Sequence, residues 1–179
     1  QLCSALKVIC ETSLKNKKFN IIGFDACFMG MIEIASAIKS YADLMVGSQD
    51  VEPGTGWDYF YTLFPFSYTP ITPKEFGAHI VHAYAKKYKY TKDFTQSCLL
   101  LENVAFLENN ISLVAQILHK LLKSNMSKKT LRLIKASRNK HSCIHFDETD
   151  YLDLHNLYTN LLQQFETASF DEETDSRSS

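Results

Sequence analysis

Ile22-Gly23-Phe24-Asp25-Ala26-Cys27-Phe28-Met29-Gly30-Met31 is the stretch on which the fold of this chain turns. The apolar run from Phe19 to Phe24, with β-branched Ile21 and Ile22 and polar flanks, reads as a strand buried on both faces of a parallel sheet. From Met29 the apolar period becomes helical, with Ile32, Ala35, Ile38 and Ala42 on one stripe and Glu33, Ser36 and Lys39 on other faces. Asp25 and Cys27 therefore fall at a strand-to-helix junction.

Upstream, Leu2, Leu6, Ile9 and Cys10 recur at helical spacing within 2–14, and Lys15-Asn16-Lys17-Lys18 reads as a solvated turn. Downstream, Leu44 to Ser48 forms a second strand ending in polar Gln49 and Asp50, and a Gly/Pro loop runs from Val51 to Asp58. Thr72-Pro73-Lys74-Glu75 combines a capping box with proline at the first helical position, and that helix is expected to reach about Lys89. Gln96 to Leu101 is a third strand, after which Asn103 is expected to cap a helix through Leu122. Ser127 caps a further helix carrying Leu131 and Ile134, and a last helix aligns Leu154, Leu157, Leu161 and Phe165. Strands alternating with helices predict a layered α/β fold with a mostly parallel sheet, one domain over 1–170. Residues 171–179 are polar and acidic, and a disordered tail is expected there. Ligands of such sheets bind beyond the carboxyl ends of the strands, where Cys27 lies.

Composition excludes several classes. A net charge of -1, with Lys and Arg scattered along the chain, leaves no electrostatic footprint for nucleic acid. No apolar run approaches the roughly 18 residues of a membrane-spanning helix. Cys3, Cys10, Cys27, Cys98 and Cys143 are an odd number without dense spacing, which points to reduced thiols rather than a disulfide framework.

Four groups of residues invite a chemical reading. Cys27 precedes a helix whose positive end would face its sulfur and favour the thiolate; the plainer reading is a buried structural cysteine. Asp25, two residues earlier on an extended segment, projects to the same side. It reads either as a helix cap or as an acid that pairs with a basic substrate side chain. His141, Cys143 and His145 would share one side of a strand, but spacing places no fourth ligand nearby, so no metal is expected. His79 and His82 read as surface or packing residues. Tyr84, Tyr88 and Tyr90 beside lysines read as a solvated helix end, not a stacking platform for bases. No G-x-S-x-G, P-loop or dinucleotide fingerprint occurs.

The run Ile21-Ile22-Gly23-Phe24-Asp25-Ala26-Cys27-Phe28-Met29-Gly30, followed by Glu33, Tyr41-Ala42-Asp43 and Gly47-Ser48-Gln49, resembles the clostripain family of cysteine peptidases. Glu52-Pro53-Gly54-Thr55-Gly56-Trp57-Asp58-Tyr59 matches the same family's Glu-Pro-Gly-x-Gly-Trp stretch. Weaker likeness continues through Gln96 to Ile111, Ala136-Ser137-Arg138 and Tyr151-Leu152-Asp153-Leu154, so that roughly residues 1–165 are covered.

The resemblance implies a three-layer α/β/α caspase-like fold, incomplete in this chain, and a cysteine endopeptidase that cuts after Arg or Lys through a Cys/His dyad. Carried over by position, Cys27 is the nucleophile and its backbone N–H contributes to the oxyanion hole. Asp25 matches the acid that reads the basic side chain, and Ser48 would line the substrate cleft. Thr55 stands where many relatives carry Asp, so the preference for Arg or Lys is expected to be weaker or altered. The family's histidine lies upstream of the cysteine, whereas the first histidine here is His79. The partner implied is thus an N-terminal segment or light chain that carries the histidine, with this chain as the heavy chain or C-terminal part. Cleavage by the enzyme itself after a Lys or Arg ahead of Gln1 is the expected origin of such a chain, a fragment of a longer chain the plainer one.

The substrate is then a peptide or protein, with neither nucleic acid nor a membrane span involved. Calcium enters through the resemblance alone, since some relatives need it and no EF-hand loop is present. Family members are often exported, while unpaired cysteines fit a reducing compartment. The alternatives are a catalytically inactive relative serving as a binding or regulatory module, and a different hydrolase or transferase on the same scaffold.

Overall fold

The computed structural model describes residues 1–147 and 149–177, with side chains described through Ala168. The acidic tail expected over 171–179 therefore falls outside the described side chains. Among the described residues ten regular elements follow one another: α1 (Leu2–Thr12), β1 (Phe19–Gly23), α2 (Ile32–Ile38), β2 (Ala42–Gly47), α3 (Tyr59–Leu63), α4 (Pro73–Lys87), β3 (Ser97–Leu100), α5 (Val104–Leu122), α6 (Ser127–Ser137) and α7 (Leu154–Arg177). Short 3₁₀ turns cover Phe64–Ser67 and Leu101–Asn103. The chain divides into two compact units, Gln1–Asn109 and Asn110–Ser179.

The first unit is built on a sheet of order β1-β2-β3. β1 and β2 run parallel, with Ile21 opposite Leu44 and Ile22 opposite Met45. β3 runs antiparallel to β2, with Leu99 opposite Met45 and Cys98 opposite Val46. The expected mostly parallel sheet is thus parallel in one pairing and antiparallel in the other. A buried apolar strand reads alike in either direction, and an antiparallel edge on a parallel sheet is a common variant.

Both faces of the sheet are covered. On one face Ile22, Met45 and Leu99 pack with Leu6 of α1, Ala35 and Ile38 of α2, Leu101 and Val104. On the other lies α4, so close that a Cβ on its Gly77 would meet Cys98 Sγ at 2.5 Å and Ile21 Cδ1 at 3.9 Å. The α4 start is the predicted one: Thr72 Oγ1 accepts the Glu75 N–H at 3.3 Å, and Glu75 Oε2 accepts the Thr72 N–H at 2.9 Å.

Local boundaries differ where periodicity was the only guide. α2 begins at Ile32, and Ala42 opens β2 instead of ending the helical stripe. α3 had no reading in the sequence, because Tyr59–Leu63 is too short to show a period. Met126 caps α6, with Ser127 as its first residue.

Between β1 and α2 the chain does not helix but continues along the end of β2. Phe24 N–H donates to Val46 O (2.9 Å), Gly30 N–H to Ser48 O (2.6 Å) and Phe28 N–H to Asp50 O (3.2 Å). Phe28 adopts φ +60°, uncommon for a bulky residue, and the reversal there lets the segment double back onto β2. Gly30 makes that approach possible: a Cβ would meet Ser48 C at 2.7 Å, Gly47 O at 2.8 Å and Gln49 N at 2.9 Å, all backbone atoms that cannot step aside. Gly30→Ala is expected to lower stability by about 1–3 kcal/mol, as overpacking does, read as an earlier denaturant midpoint. An unchanged midpoint would show that the two loops separate freely.

In the second unit, Asn160 Nδ2 donates to Ser137 O (3.1 Å) and Ser142 O (2.8 Å), tying α7 to the end of α6. His145 sits with Nδ1 3.0 Å from Thr149 O and Nε2 2.9 Å from Arg138 O, so both ring nitrogens are directed at carbonyls. Cys143 is buried.

Candidate active site

The end of β1, the loop after β2 and one face of α3 and α4 meet around Asp25 and Cys27. Of the five cysteines Cys27 is the exposed one; Cys3 and Cys98 are half-buried, and Cys10 and Cys143 are buried. Burial pushes the thiols of Cys98 and Cys143 above the ordinary cysteine range. Cys27 Sγ accepts the Glu52 N–H at 3.3 Å and lies 3.9 Å from Glu52 O. The helix expected immediately after Cys27 starts only at Ile32 and runs seven residues, so the donor facing the sulfur is this loop amide rather than a helix end.

Asp25 is enclosed by the same loop. Trp57 N–H donates to both carboxylate oxygens (3.1 and 3.0 Å), and Tyr59 O–H donates to Oδ2 at 2.9 Å. Burial works against the charge, but the Trp57 N–H, bonds from Glu52 and Tyr59, and the Lys87 ammonium outweigh it and hold Asp25 below the usual carboxylate range. The same bond raises the Tyr59 hydroxyl. Gly56, at φ +57°, is required here, since a Cβ would meet Asp25 Oδ2 at 2.6 Å. Trp57 in turn lies over β1, where a Cβ on Gly23 would meet its Cη2 at 2.7 Å. The cap reading of Asp25 falls: Met31 holds the N-cap position of α2 without a side-chain bond, and the carboxylates that cap helices are those of Asp58, on Tyr61 N–H, and Asp153, on Asn156 N–H.

Glu52 is the residue that sequence reasoning passed over as part of a loop. It is only 7% exposed, and Gln96 Nε2 donates to its Oε1 at 3.3 Å. Its Oε2 is buried and has no hydrogen-bond partner among the described residues, and the same holds for Gln96 Oε1, Trp57 Nε1 and the Tyr84 hydroxyl. Burial first, and then the bond and charge of Asp25, push the Glu52 carboxyl up to about 7. An acid in a Gly/Pro loop ordinarily lies in water, so nothing local marks this one as buried.

Ser48 sits behind the site rather than in it. It is fully buried, and its Oγ donates to Asp50 O (2.9 Å) and accepts from Asp50 N–H (3.1 Å). Thr95 Oγ1 accepts the Gln49 and Asp50 N–H groups (2.9 and 3.2 Å), which leaves its own proton for Ser48 Oγ at 2.9 Å. The serine expected to line the cleft therefore braces the loop that carries Glu52. Thr55 turns its hydroxyl to the Tyr88 hydroxyl at 2.9 Å, and Tyr88 donates to Gly56 O at 2.6 Å. Lys87 Nζ donates to Thr55 O (3.0 Å) and Gly56 O (2.7 Å), a cation poised beside Asp25. Among the described residues no three His, Cys, Asp or Glu side chains converge as a metal site, and no helix is long and apolar enough to cross a membrane.

The clostripain family profile (Peptidase_C11) matches residues 1–174. The chain belongs to the clostripain family. Among solved structures, this clostripain-family chain is similar to a secreted C11 cysteine protease from Bacteroides thetaiotaomicron bound to an irreversible peptide inhibitor. The TM-score is 0.57 at 20% identity, over 93% of this chain and 43% of that one. A cysteine protease of B. fragilis aligns with TM-score 0.50 at 15% identity, over 92% of this chain and 69% of that one. The likeness establishes the caspase-like α/β fold, and the chain spans under half the length of the Bacteroides thetaiotaomicron protease. No curated protein matches it.

Proposed function

We propose that this chain carries the nucleophile of a clostripain-family cysteine endopeptidase that cleaves after Arg or Lys. The observation that carries the reading is Cys27: the one exposed thiol of five, at the carboxyl end of β1, with an amide donor on its sulfur and a charged carboxylate two residues away. Cys27 Sγ attacks the scissile carbonyl carbon, the amine departs with a proton, and water hydrolyses the resulting thioester. The Cys27 backbone N–H contributes to stabilising the oxyanion. Asp25 pairs with the cationic side chain that precedes the scissile bond. The general base is a histidine of a segment outside residues 1–179, an upstream portion or a separate light chain. In support, no histidine precedes Cys27 in this chain, and the ring of His79 is engaged 3.0 Å from Tyr61 O.

Active-site labelling tests the reading. A peptidyl chloromethyl ketone ending in Lys or Arg, incubated with the full-length protein, is expected to add its mass to the peptide containing Cys27. A reagent ending in Asp or Leu is expected to leave that peptide unmodified. Labelling of another cysteine, or equal labelling by all four reagents, would sink the reading.

A further inference from the structure

We propose that Glu52 holds a proton for Asp25, so that the two carboxyls act as one acid pair setting how strongly this site binds a cationic side chain. The identity of that side chain rests on the peptidase reading above; the pair itself rests on the burial of Glu52, its unpartnered Oε2 and the donors that hold Asp25.

Asp25 and Glu52 lie in the same enclosed site, close enough that each moves the other's protonation, Asp25 down and Glu52 up. Two bare carboxylates so placed repel each other and neither carries a donor, so a proton on one of them is what lets them lie together. Asp25 already receives the Trp57 N–H on both oxygens and the Tyr59 hydroxyl on Oδ2. Glu52, more deeply buried, receives Gln96 Nε2 on Oε1 while Oε2 meets no donor among the described residues. A proton on Glu52 Oε2, donated to Asp25, satisfies both groups at once. The alternative places a bare carboxylate oxygen in a buried position without a partner, which is costly.

The surroundings name what else bears on the pair. Tyr59 faces it from α3, Tyr84 from α4, Cys27 from the β1–α2 loop and Gln96 from the approach to β3, while Lys87 of α4 faces Asp25. Tyr84 is 2% exposed, and its hydroxyl, like Trp57 Nε1 and Gln96 Oε1, is buried without a hydrogen-bond partner among the described residues. Unpartnered buried polar atoms around a charged carboxylate are a site prepared for a polar ligand rather than a sealed core.

With its proton the pair carries one negative charge, without it two. A guanidinium or ammonium bound at Asp25 favours the doubly charged state and so displaces the proton from Glu52. The preference for a cationic over an isosteric neutral side chain therefore rises with pH through the Glu52 transition. Glu52 acts through Asp25 and is a positioning residue for specificity, not a catalytic one.

Carboxyl-carbon NMR of the full-length protein, labelled at Asp and Glu, tests the pair without any cleavage. The Glu52 carboxyl is expected to titrate near pH 7, with the Asp25 resonance recording the same step. N-acetyl-argininamide is expected to lower that midpoint, and the citrulline analogue to leave it unmoved. Glu52 titrating in the ordinary carboxyl range, with no matching step at Asp25, would overturn the proposal. In kinetics, the Arg-to-citrulline ratio of kcat/KM is expected to rise about tenfold between roughly pH 6 and 8, the size of one unit of coupling. It is expected to be flat in Glu52→Gln, which keeps the Gln96 contact, and to retain a step in Glu52→Asp. A flat ratio in the unmodified enzyme overturns the pair while leaving the peptidase reading intact. A coupled NMR titration without hydrolysis of any peptide supports the pair and removes the peptidase reading.

Discussion

Cys27→Ala is expected to abolish peptide cleavage by the full-length protein, lowering kcat/KM by about ten-thousand-fold or more, as loss of a nucleophile does. The covalent route disappears with the sulfur, and no neighbouring side chain replaces it: the Asp25 carboxylate is occupied by Trp57 and Tyr59, and Ser48 Oγ is sealed in the loop brace. The fold is expected to survive the change. Cys27 is exposed, and the Glu52 N–H that loses its acceptor can turn to water, so the unfolding free energy is expected to move by no more than about 0.5 kcal/mol. Steady-state kinetics and a denaturant curve on the same preparation separate the two effects. Retention of activity within tenfold would assign the nucleophile elsewhere.

Asp25→Asn has the second largest expected effect, and it is selective. The substitution keeps an oxygen for the Trp57 N–H and the Tyr59 hydroxyl but removes the charge that a guanidinium or ammonium would meet. Breaking a buried, hydrogen-bonded charge pair costs roughly 2–5 kcal/mol, or about thirty- to several-thousand-fold in kcat/KM for Arg and Lys peptides. Citrulline and norleucine peptides, which carry no charge, are expected to change by less than about threefold, since they never had that interaction. Parallel kinetics on the four peptides read the split. An equal loss on all four would mean that Asp25 shapes the loop rather than reading charge. Asp25→Ala is the less informative change, because it strands the Trp57 N–H and Tyr59 hydroxyl as well.

The features legible in the residues were those decided by neighbours in the chain. The Thr72–Glu75 capping box and the Pro73 start of α4 involve groups three residues apart, and they stand as read. β1 and β2 announced themselves as short apolar runs with polar flanks, but only β2 is buried nearly throughout; β1, at the sheet edge, is half-buried and leaves Asn20 and Gly23 exposed. The motif around Cys27 pointed to the clostripain family before any geometry was known, and the family match over residues 1–174 bears that out.

Other features were decided by groups far apart in the chain. The antiparallel direction of β3, the start of α2 at Ile32 and the role of Ser48 depend on which segments fold back onto the end of β2. Gly30 reaches Ser48 only because both lie there, and Ser48 meets Thr95 across 47 positions. Glu52 is the sharpest case: an acid beside Pro53-Gly54 reads as solvent-facing, yet Asp25 lies 27 positions before it and Gln96 44 positions after it, and together they bury it. The residues alone named the family and singled out Cys27 and Asp25, because those are matters of side-chain chemistry and short-range order. Only the tertiary structure showed that Glu52 and Ser48 are buried and what Ser48 bonds to, because burial and hydrogen-bond partnership belong to the space between segments.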